Sequence, residues 1–82
     1  VVEGTIENSA SNSSTLKILT ILAQQVVIED GLTQFDPPLT FASIDAQNGF
    51  LEISGFRRAD GTIEATYVEL KLADIERLFG RR

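Results

Sequence analysis

Short runs of valine, isoleucine, leucine, threonine and phenylalanine follow one another along most of this chain, and turn-forming residues separate them. Runs of this kind with regular punctuation are typical of an all-β domain. The turn-forming residues fall at Asn8–Ser14, Asp30–Gly31, Asp36–Pro38, Asn48–Gly49 and Asp60–Gly61. The pattern therefore predicts strands between these points.

The amino-terminal half contains three predicted strands. They cover about Val1–Glu7, Leu16–Thr20 and Gln24–Glu29. Residues 8–14, between the first two, are small and polar, so we expect a mobile loop there. Residues 21–23 fit either a continuation of the second strand or a turn, and residues 33–35 fit a short extended piece.

A short helix is predicted before the fourth strand. Pro37 and Pro38 exclude their positions from a central strand, and apolar residues recur at spacings of three and four within Leu39–Gln47. We expect one or two helical turns there, ending at Asn48–Gly49.

The clearest predicted element is a β-hairpin. Phe50–Arg58 and Thr62–Lys71 both begin with alternating apolar and polar residues, and a short Asp-Gly turn joins them. This arrangement is typical of a hairpin in which Gly61 has a positive φ and Asp60 takes the neighbouring turn position. The alternation slips by one residue near Tyr67–Val68, which predicts a bulge, and Gly55 suits a sharp bend in the fourth strand.

The last residues change to a helical spacing. The apolar face of this helix consists of Leu72, Ile75, Leu78 and Phe79, and Gly80 suits its carboxy-terminal cap. A helix this short is unstable alone in water, so we expect it to dock. We favour docking on an open end of the same domain, and the alternative is docking on a protein partner or on a second copy of the chain.

This order of elements is that of a five-stranded OB-type barrel with a short helix between the third and fourth strands. We therefore predict one small OB-like barrel over residues 1–71 and a short helical tail over residues 72–82. A chain of 82 residues has room for a single core.

The hairpin also resembles the signature of a bacterial family, domain of unknown function 5666. That signature is roughly V-x-V-x-G, three or four residues, then D-G-x-I-x-A-x-x-I/V-E. The matching residues are Leu51, Ile53, Gly55, Asp60, Gly61, Ile63, Ala65, Val68 and Glu69. Val2–Ile6 and Thr33–Phe35 are also similar to the family, whereas Asn48–Gly49 replaces its usual V-G before the fourth strand.

The resemblance covers about residues 1–70 and implies a small β-barrel. Members of this family occur singly or in tandem in exported bacterial proteins and lipoproteins, so it also implies a periplasmic, cell-envelope or extracellular location. The motif consists mostly of glycines, a turn and strand alternation, and it transfers no catalytic residue. Because the sequence has no initiator methionine, we expect a processed product or a segment of a longer protein.

The composition excludes most catalytic mechanisms. The chain contains no histidine and no cysteine, so it offers no thiol nucleophile, no Ser-His-Asp triad and none of the usual zinc or haem ligand sets. Its carboxylates do not follow the spacing of a calcium loop, and Asp30 and Asp36 are better explained as turn residues. We therefore predict no catalytic residue, no metal and no cofactor.

Charge is distributed unevenly within a net charge of −5. Lys17 is the only basic residue before Arg57, and it is predicted to be solvated. Arg57 and Arg58 form a local basic spot beside Phe56, which is either a contact for a small anion or partner, or a solvated hairpin tip. The acidic amino-terminal two thirds predict no nucleic-acid binding, and the longest apolar run is too short to span a membrane.

Two functions remain. The first is a non-enzymatic binding or assembly module of a larger exported bacterial protein. The alternative is an OB-type binder of a small oligomer, a saccharide or a single-stranded nucleic acid. The candidate interaction residues are Phe56, Arg57, Arg58, Tyr67, Leu78 and Phe79, and the candidate turn or bulge residues are Gly55, Asp60 and Gly61.

Overall fold

Seven strands make up most of residues 1–71, the part of the chain that this computed structural model describes. They are β1 (Val2–Gly4), β2 (Asn8–Ser11), β3 (Leu16–Ile21), β4 (Gln24–Glu29), β5 (Gln34–Phe35), β6 (Phe50–Arg57) and β7 (Ile63–Lys71). The all-β prediction is confirmed. The predicted carboxy-terminal helix lies outside the described residues, and within them no helix is long and apolar enough to cross a membrane.

The seven strands form one sheet in the order β1-β6-β7-β4-β3-β2, and β5 pairs with β7 beside this path. Neighbours pair antiparallel, except that β7 runs parallel to both β4 and β5. β1 and β2 lie at opposite ends of this order, although only residues 5–7 separate them in the chain. The sheet is therefore coiled, and a Cβ atom on Gly4 in β1 would lie 3.0 Å from Cγ2 of Ile21 in β3.

The number of strands differs from the five predicted, because two segments without an apolar alternation pair through their backbones. β2 occupies the region predicted as a mobile loop. Its side chains are all exposed, yet its backbone pairs in regular register with β3. β5 falls within the short extended piece at residues 33–35 and pairs with Tyr67 and Val68 of β7.

The segment left open at residues 21–23 is a tight turn between β3 and β4. Leu22 and Ala23 have positive φ angles of 52° and 62°. Residues other than glycine and asparagine rarely adopt this backbone conformation. The carboxylate of Glu7 accepts hydrogen bonds from the backbone amides of Leu22 and Ala23 at 3.1 and 3.2 Å. Glu7 therefore ties the link between β1 and β2 to this turn.

The core lies inside the coiled sheet, because alternate residues of the strands point inward. Its members are Val2, Leu19, Ile21, Val26, Ile28, Leu39, Ile44, Leu51, Ile53, Ile63, Ala65 and Val68. Leu39 and Ile44 come from the segment between β5 and β6 rather than from a strand. That segment covers one end of the core, which we name the covered end.

The helix predicted over Leu39–Gln47 is reduced to a single 3-10 turn at Ile44–Ala46. The hydroxyl groups of Thr40 and Ser43 bond to each other, and each also accepts a hydrogen bond from the other residue's backbone amide. Serine and threonine side chains that bond locally in this way favour turns over helices.

The prediction that Lys17 is solvated is wrong, because its side chain turns inward from β3 and is only 8% exposed. Its Nζ donates to the carbonyl oxygens of Phe41 and Ala42, and it lies 3.1 Å from Oδ1 of Asp45. The same atom lies 4.6 Å from the centre of the Phe41 ring. Lys17 therefore fastens the covered end to β3.

β6 and β7 change register at Gly55. Ser54 pairs with Tyr67, but Gly55 pairs with Ala65, so Thr66 is an extra residue on β7. A Cβ atom on Gly55 would overlap the carbonyl oxygen of Glu64 and lie 2.9 Å from its carbonyl carbon. Only glycine fits this close approach, and the bulge bends the two strands together.

We expect Gly55→Ala to lower the free energy of unfolding by about 2–3 kcal/mol, because the added methyl group must push two strand backbones apart. Gly61→Ala is the matched control. Gly61, unlike Gly55, has a positive φ of 91°, but no atom lies within 4 Å of its Cβ position, so the substitution costs only the backbone strain, about 1 kcal/mol. Urea denaturation of both variants measures the difference, and equal losses would contradict the close approach at Gly55.

We expect Lys17→Met to lower the free energy of unfolding by about 1–3 kcal/mol, because partly buried carbonyl groups lose their charged donor. Lys71→Met is the control. Lys71 forms an ion pair at 3.0 Å with Glu52, and its side chain is 35% exposed, so its loss changes stability by about 1 kcal/mol or less. A Lys17 variant as stable as the Lys71 variant would show that Lys17 does not hold the covered end.

Candidate functional site

The other end of the core is formed by two turns and is named the hairpin end. One turn joins β3 to β4 at residues 22–23, and the other joins β6 to β7 at residues 58–62. Lys17 and Ile21 lie four residues apart on β3, about 13 Å at the usual rise of a strand. The covered end and the hairpin end are therefore at opposite ends of β3.

Arg57 lies across the hairpin end. It is the last residue of β6 and pairs with Ile63 of β7. Its Nη1 donates to the carbonyl oxygen of Gly61 at 3.0 Å, and its Nη2 donates to Oε1 of Gln24 at 2.9 Å. Both acceptors are neutral and both bonds are exposed to solvent, so they orient the guanidinium group without neutralising its charge.

The other basic side chains of residues 1–71 are in a different situation. Each forms an ion pair with a carboxylate, namely Lys17 with Asp45, Arg58 with Glu64 and Lys71 with Glu52. Within the same residues, no carboxylate oxygen forms an ion pair with Arg57. Arg57 is thus the cation of the described fold that is held only by neutral groups.

Two adjoining cavities lie beside Arg57 and Gln24, and we name them together the hairpin-end groove. The larger has a volume of about 440 Å³ and a mainly polar wall, which includes Thr20, Gln25, Asp60 and Thr62. The smaller has a volume of about 200 Å³, and its wall includes Val1, Val2, Phe56 and Ile63. Arg57 and Gln24 belong to both walls, and both walls are mainly polar, although the smaller one also contains the apolar residues named above.

Asp60 is fixed by its own turn. Its Oδ1 accepts hydrogen bonds from the hydroxyl group of Thr62 at 2.7 Å and from the backbone amide of Thr62 at 2.9 Å. These bonds, and to a smaller extent the charge of Arg58, hold the pKa of Asp60 below its usual value of 3.8. The groove therefore carries a fixed carboxylate as well as a fixed guanidinium group.

The predicted basic spot is divided between two faces of the hairpin. Arg57 points to the groove, whereas Arg58 pairs with Glu64, at 3.3 Å from Nε to Oε1. Phe56 pairs with Glu64 across the two strands and is 57% exposed. It also reaches the wall of the smaller cavity. Phe56 and Arg57 are thus the predicted interaction residues that the structure places together at the groove.

Tyr67 lies farther along the hairpin and not in the groove. It pairs with Ser54, so it shares an outer face with Phe56, and it is 38% exposed. Partial burial, followed by the negative charge of Asp36, raises the pKa of Tyr67 above its usual value of 10.0. Leu78 and Phe79 lie outside the described residues.

Sequence reasoning missed the part of the groove that comes from β3 and β4. Gln24 and Gln25 were assigned only to a strand, and Thr20 has no motif that marks it. One signal was present, because two adjacent glutamines at the start of an otherwise apolar strand are unusual for a buried strand. Nothing in the sequence, however, indicates that they face Arg57.

Two further features bear on ligand class. Lys17, the only basic residue of β3 and β4, points into the core, so the outer face of these strands carries no cation. No group of three or more acidic side chains within residues 1–71 is close enough to hold a metal ion. Within residues 1–71, the groove is the place where a basic side chain without an ion pair borders open space.

A scan of the chain against protein-family models finds no matching family, and searches of curated proteins and of solved structures find no matching protein. Family membership and function are therefore proposals.

The lowered pKa of Asp60 predicts a pH-dependent stability. Ionised Asp60 contributes stability that is fully present above the unfolded pKa, near 3.8, and is lost as the pH falls through the lower, folded-state pKa. Asp60→Asn removes this contribution. The difference in melting temperature between wild type and variant should therefore be largest near neutral pH and shrink in strong acid.

Thr62→Val serves as the companion variant, because it removes the largest cause of the pKa shift while leaving the carboxylate in place. The difference in melting temperature between wild type and Thr62→Val should therefore also shrink in strong acid, but by a smaller amount than for Asp60→Asn. Thermal melting curves of the three proteins across the acid range provide the measurement. A constant difference between wild type and Asp60→Asn at every pH would contradict the assigned role of the carboxylate.

Proposed function

We propose that this chain is a non-enzymatic binding module of a larger exported bacterial protein, and that the hairpin-end groove is its contact site. The observation that carries this proposal is the state of Arg57. Its guanidinium group is fixed by Gly61 and Gln24, both neutral, and it borders open space on two sides. A cation that is oriented by neutral groups and has no ion pair with a carboxylate of residues 1–71 favours binding of an anionic group.

Binding is better supported than catalysis by the groups in the groove. Guanidinium, amide and hydroxyl groups can hold and orient a ligand, but none of them exchanges a proton readily near neutral pH. Asp60 has a lowered pKa, which is the opposite of what a general acid at neutral pH requires. We therefore assign the groove recognition and no reaction.

We further propose that the coiled sheet is a small OB-like barrel. β1 and β2 are then two parts of one bent first strand, which pairs with β6 on one side and with β3 on the other. The parallel pairing of β4 with β7 supports this topology. Membership of the exported bacterial family, and with it an envelope or extracellular location, is a proposal that rests on the hairpin motif of residues 51–69.

The alternative of a nucleic-acid ligand has less support than a small ligand in the groove. A groove that tracks a nucleic-acid backbone needs several cations and stacking aromatic side chains. Lys17 is buried, Arg58 is paired with Glu64, and the chain has a net charge of −5. Within residues 1–71, one guanidinium group without a carboxylate partner suits a single anionic group rather than a chain of phosphates.

The proposed contact site is tested by titrating the ¹⁵N-labelled protein with a panel of small carboxylates, sugars and short peptides. We expect at least one compound to shift backbone amide signals at the hairpin end, around Gln24, Arg57 and Gly61. Signals at the covered end, such as Phe41 and Asp45, should stay unchanged. Shifts confined to the covered end, or none with any compound, would refute the assigned site.

A further inference from the structure

We propose that the ligand of the hairpin-end groove is a sugar acid, a small molecule with one carboxylate group and several hydroxyl groups. This inference rests on the proposed function, because it names the ligand of the same site. The larger cavity, at about 440 Å³, is within the size range of small-molecule sites.

The carboxylate is assigned to Arg57. A guanidinium group has five N–H donors in a planar fork, and the bonds to Gly61 and Gln24 use one donor on each terminal nitrogen. The remaining donors suit the two oxygens of a carboxylate, which arginine binds in a planar, two-point contact. Because the guanidinium group is already held, Arg57 loses little side-chain freedom when a ligand binds.

The hydroxyl groups are assigned to the polar wall. Gln25 can donate and accept through its amide, and the hydroxyl groups of Thr20 and Thr62 can do the same. Asp60 uses Oδ1 for Thr62, so Oδ2 is its oxygen for a ligand hydroxyl group. Such a mixture of short donors and acceptors matches the alternating hydroxyl groups of a sugar.

Asp60 also disfavours binding of ligands with several negative charges. Its carboxylate accepts hydrogen bonds from hydroxyl groups but repels other anions, and the lowered pKa keeps it ionised. The net charge of −5 acts in the same direction. A single carboxylate opposite Arg57 is tolerated, whereas an acidic peptide segment or a nucleic acid would place further charges near Asp60.

Phe56 supplies the remaining contact. Phe56 is 57% exposed on the outer face next to Arg57, and it also reaches the wall of the smaller cavity, together with Val1. The carbon-bound hydrogens of a sugar ring form an apolar face that packs on an aromatic ring. A ligand with a carboxylate at Arg57, hydroxyl groups at the polar wall and an apolar face at Phe56 is a sugar acid.

The test compares three probes, glucuronate, glucose and acetate, by NMR titration of the full chain. Glucuronate should shift the hairpin-end amide signals with an affinity about tenfold or more above that of either partial probe, because it alone engages both sets of groups. The Arg57→Gln variant should weaken glucuronate binding about tenfold or more, since it removes a charge-assisted contact. Arg58→Gln is the matched control and should change the affinity less than about twofold, because Arg58 already pairs with Glu64 on the outer face.

The melting temperature of Arg57→Gln will show whether this substitution disturbs the fold. If it does, a second variant, Phe56→Ala, still tests the proposal. Phe56→Ala leaves both bonds of Arg57 in place and should weaken glucuronate several-fold while leaving acetate binding unchanged. Equal weakening of both probes, or of neither, would contradict the stacking contact.

The other outcomes separate this proposal from the proposed function. If acetate binds as tightly as glucuronate, the groove is a general anion site. If glucose binds as tightly as glucuronate, it is a neutral-sugar site. Either result overturns the proposal of a sugar-acid ligand. A peptide or another panel compound that shifts the hairpin end while glucuronate does not would overturn the ligand class and leave the binding module standing. If no compound shifts the hairpin end, both proposals fail.

Discussion

The architecture depends on the contact between Gly55 and the backbone of Glu64. At this point two strands approach so closely that no side chain fits, and the extra residue Thr66 is accommodated on β7. The resulting bend lets one hairpin pair with β1 through β6 and with β4 through β7. It also determines the site, because the strand beyond Gly55 places Phe56 on the outer face and Arg57 across the hairpin end. The close approach at Gly55 thus sets the positions of two exposed candidate residues, Phe56 and Arg57.

A basic side chain lies at each end of the core, and the two differ in whether their charge is compensated. Lys17 is buried, donates to backbone carbonyl groups and pairs with Asp45, so its charge is compensated within the fold. Arg57 is held by a carbonyl and an amide oxygen, and its charge is not compensated by an ion pair within residues 1–71. The first arrangement closes an end by fastening a segment over the core. The second leaves an end open and gives it a fixed positive charge.

The parts of the fold that depend on side-chain alternation were predictable from the sequence. The β6–β7 hairpin and the all-β class follow from apolar alternation and an Asp-Gly turn, and the phase slip placed a bulge within one or two residues of Thr66. β2 was not predictable, because its small polar residues carry no alternation and pair through the backbone alone. Lys17 and the groove were missed for a different reason. Both depend on which residues from distant segments meet, and spacing along the chain does not encode this.

The choice of acceptors for Arg57 supports the proposal that the open end serves recognition. If the only role of Arg57 were to join the two turns, a carboxylate at position 24 would hold it more strongly, because a bond between two charged groups is stronger than one to a neutral amide. Gln24 provides the same geometry without the charge. The turns are thereby joined while the guanidinium group keeps its attraction for an anion from solution. Asp60 stands in the same groove, but its carboxylate is committed to Thr62. The groove thus gives each of its two charges a neutral partner, which leaves the charge of Arg57 and the second carboxylate oxygen of Asp60 available to a ligand.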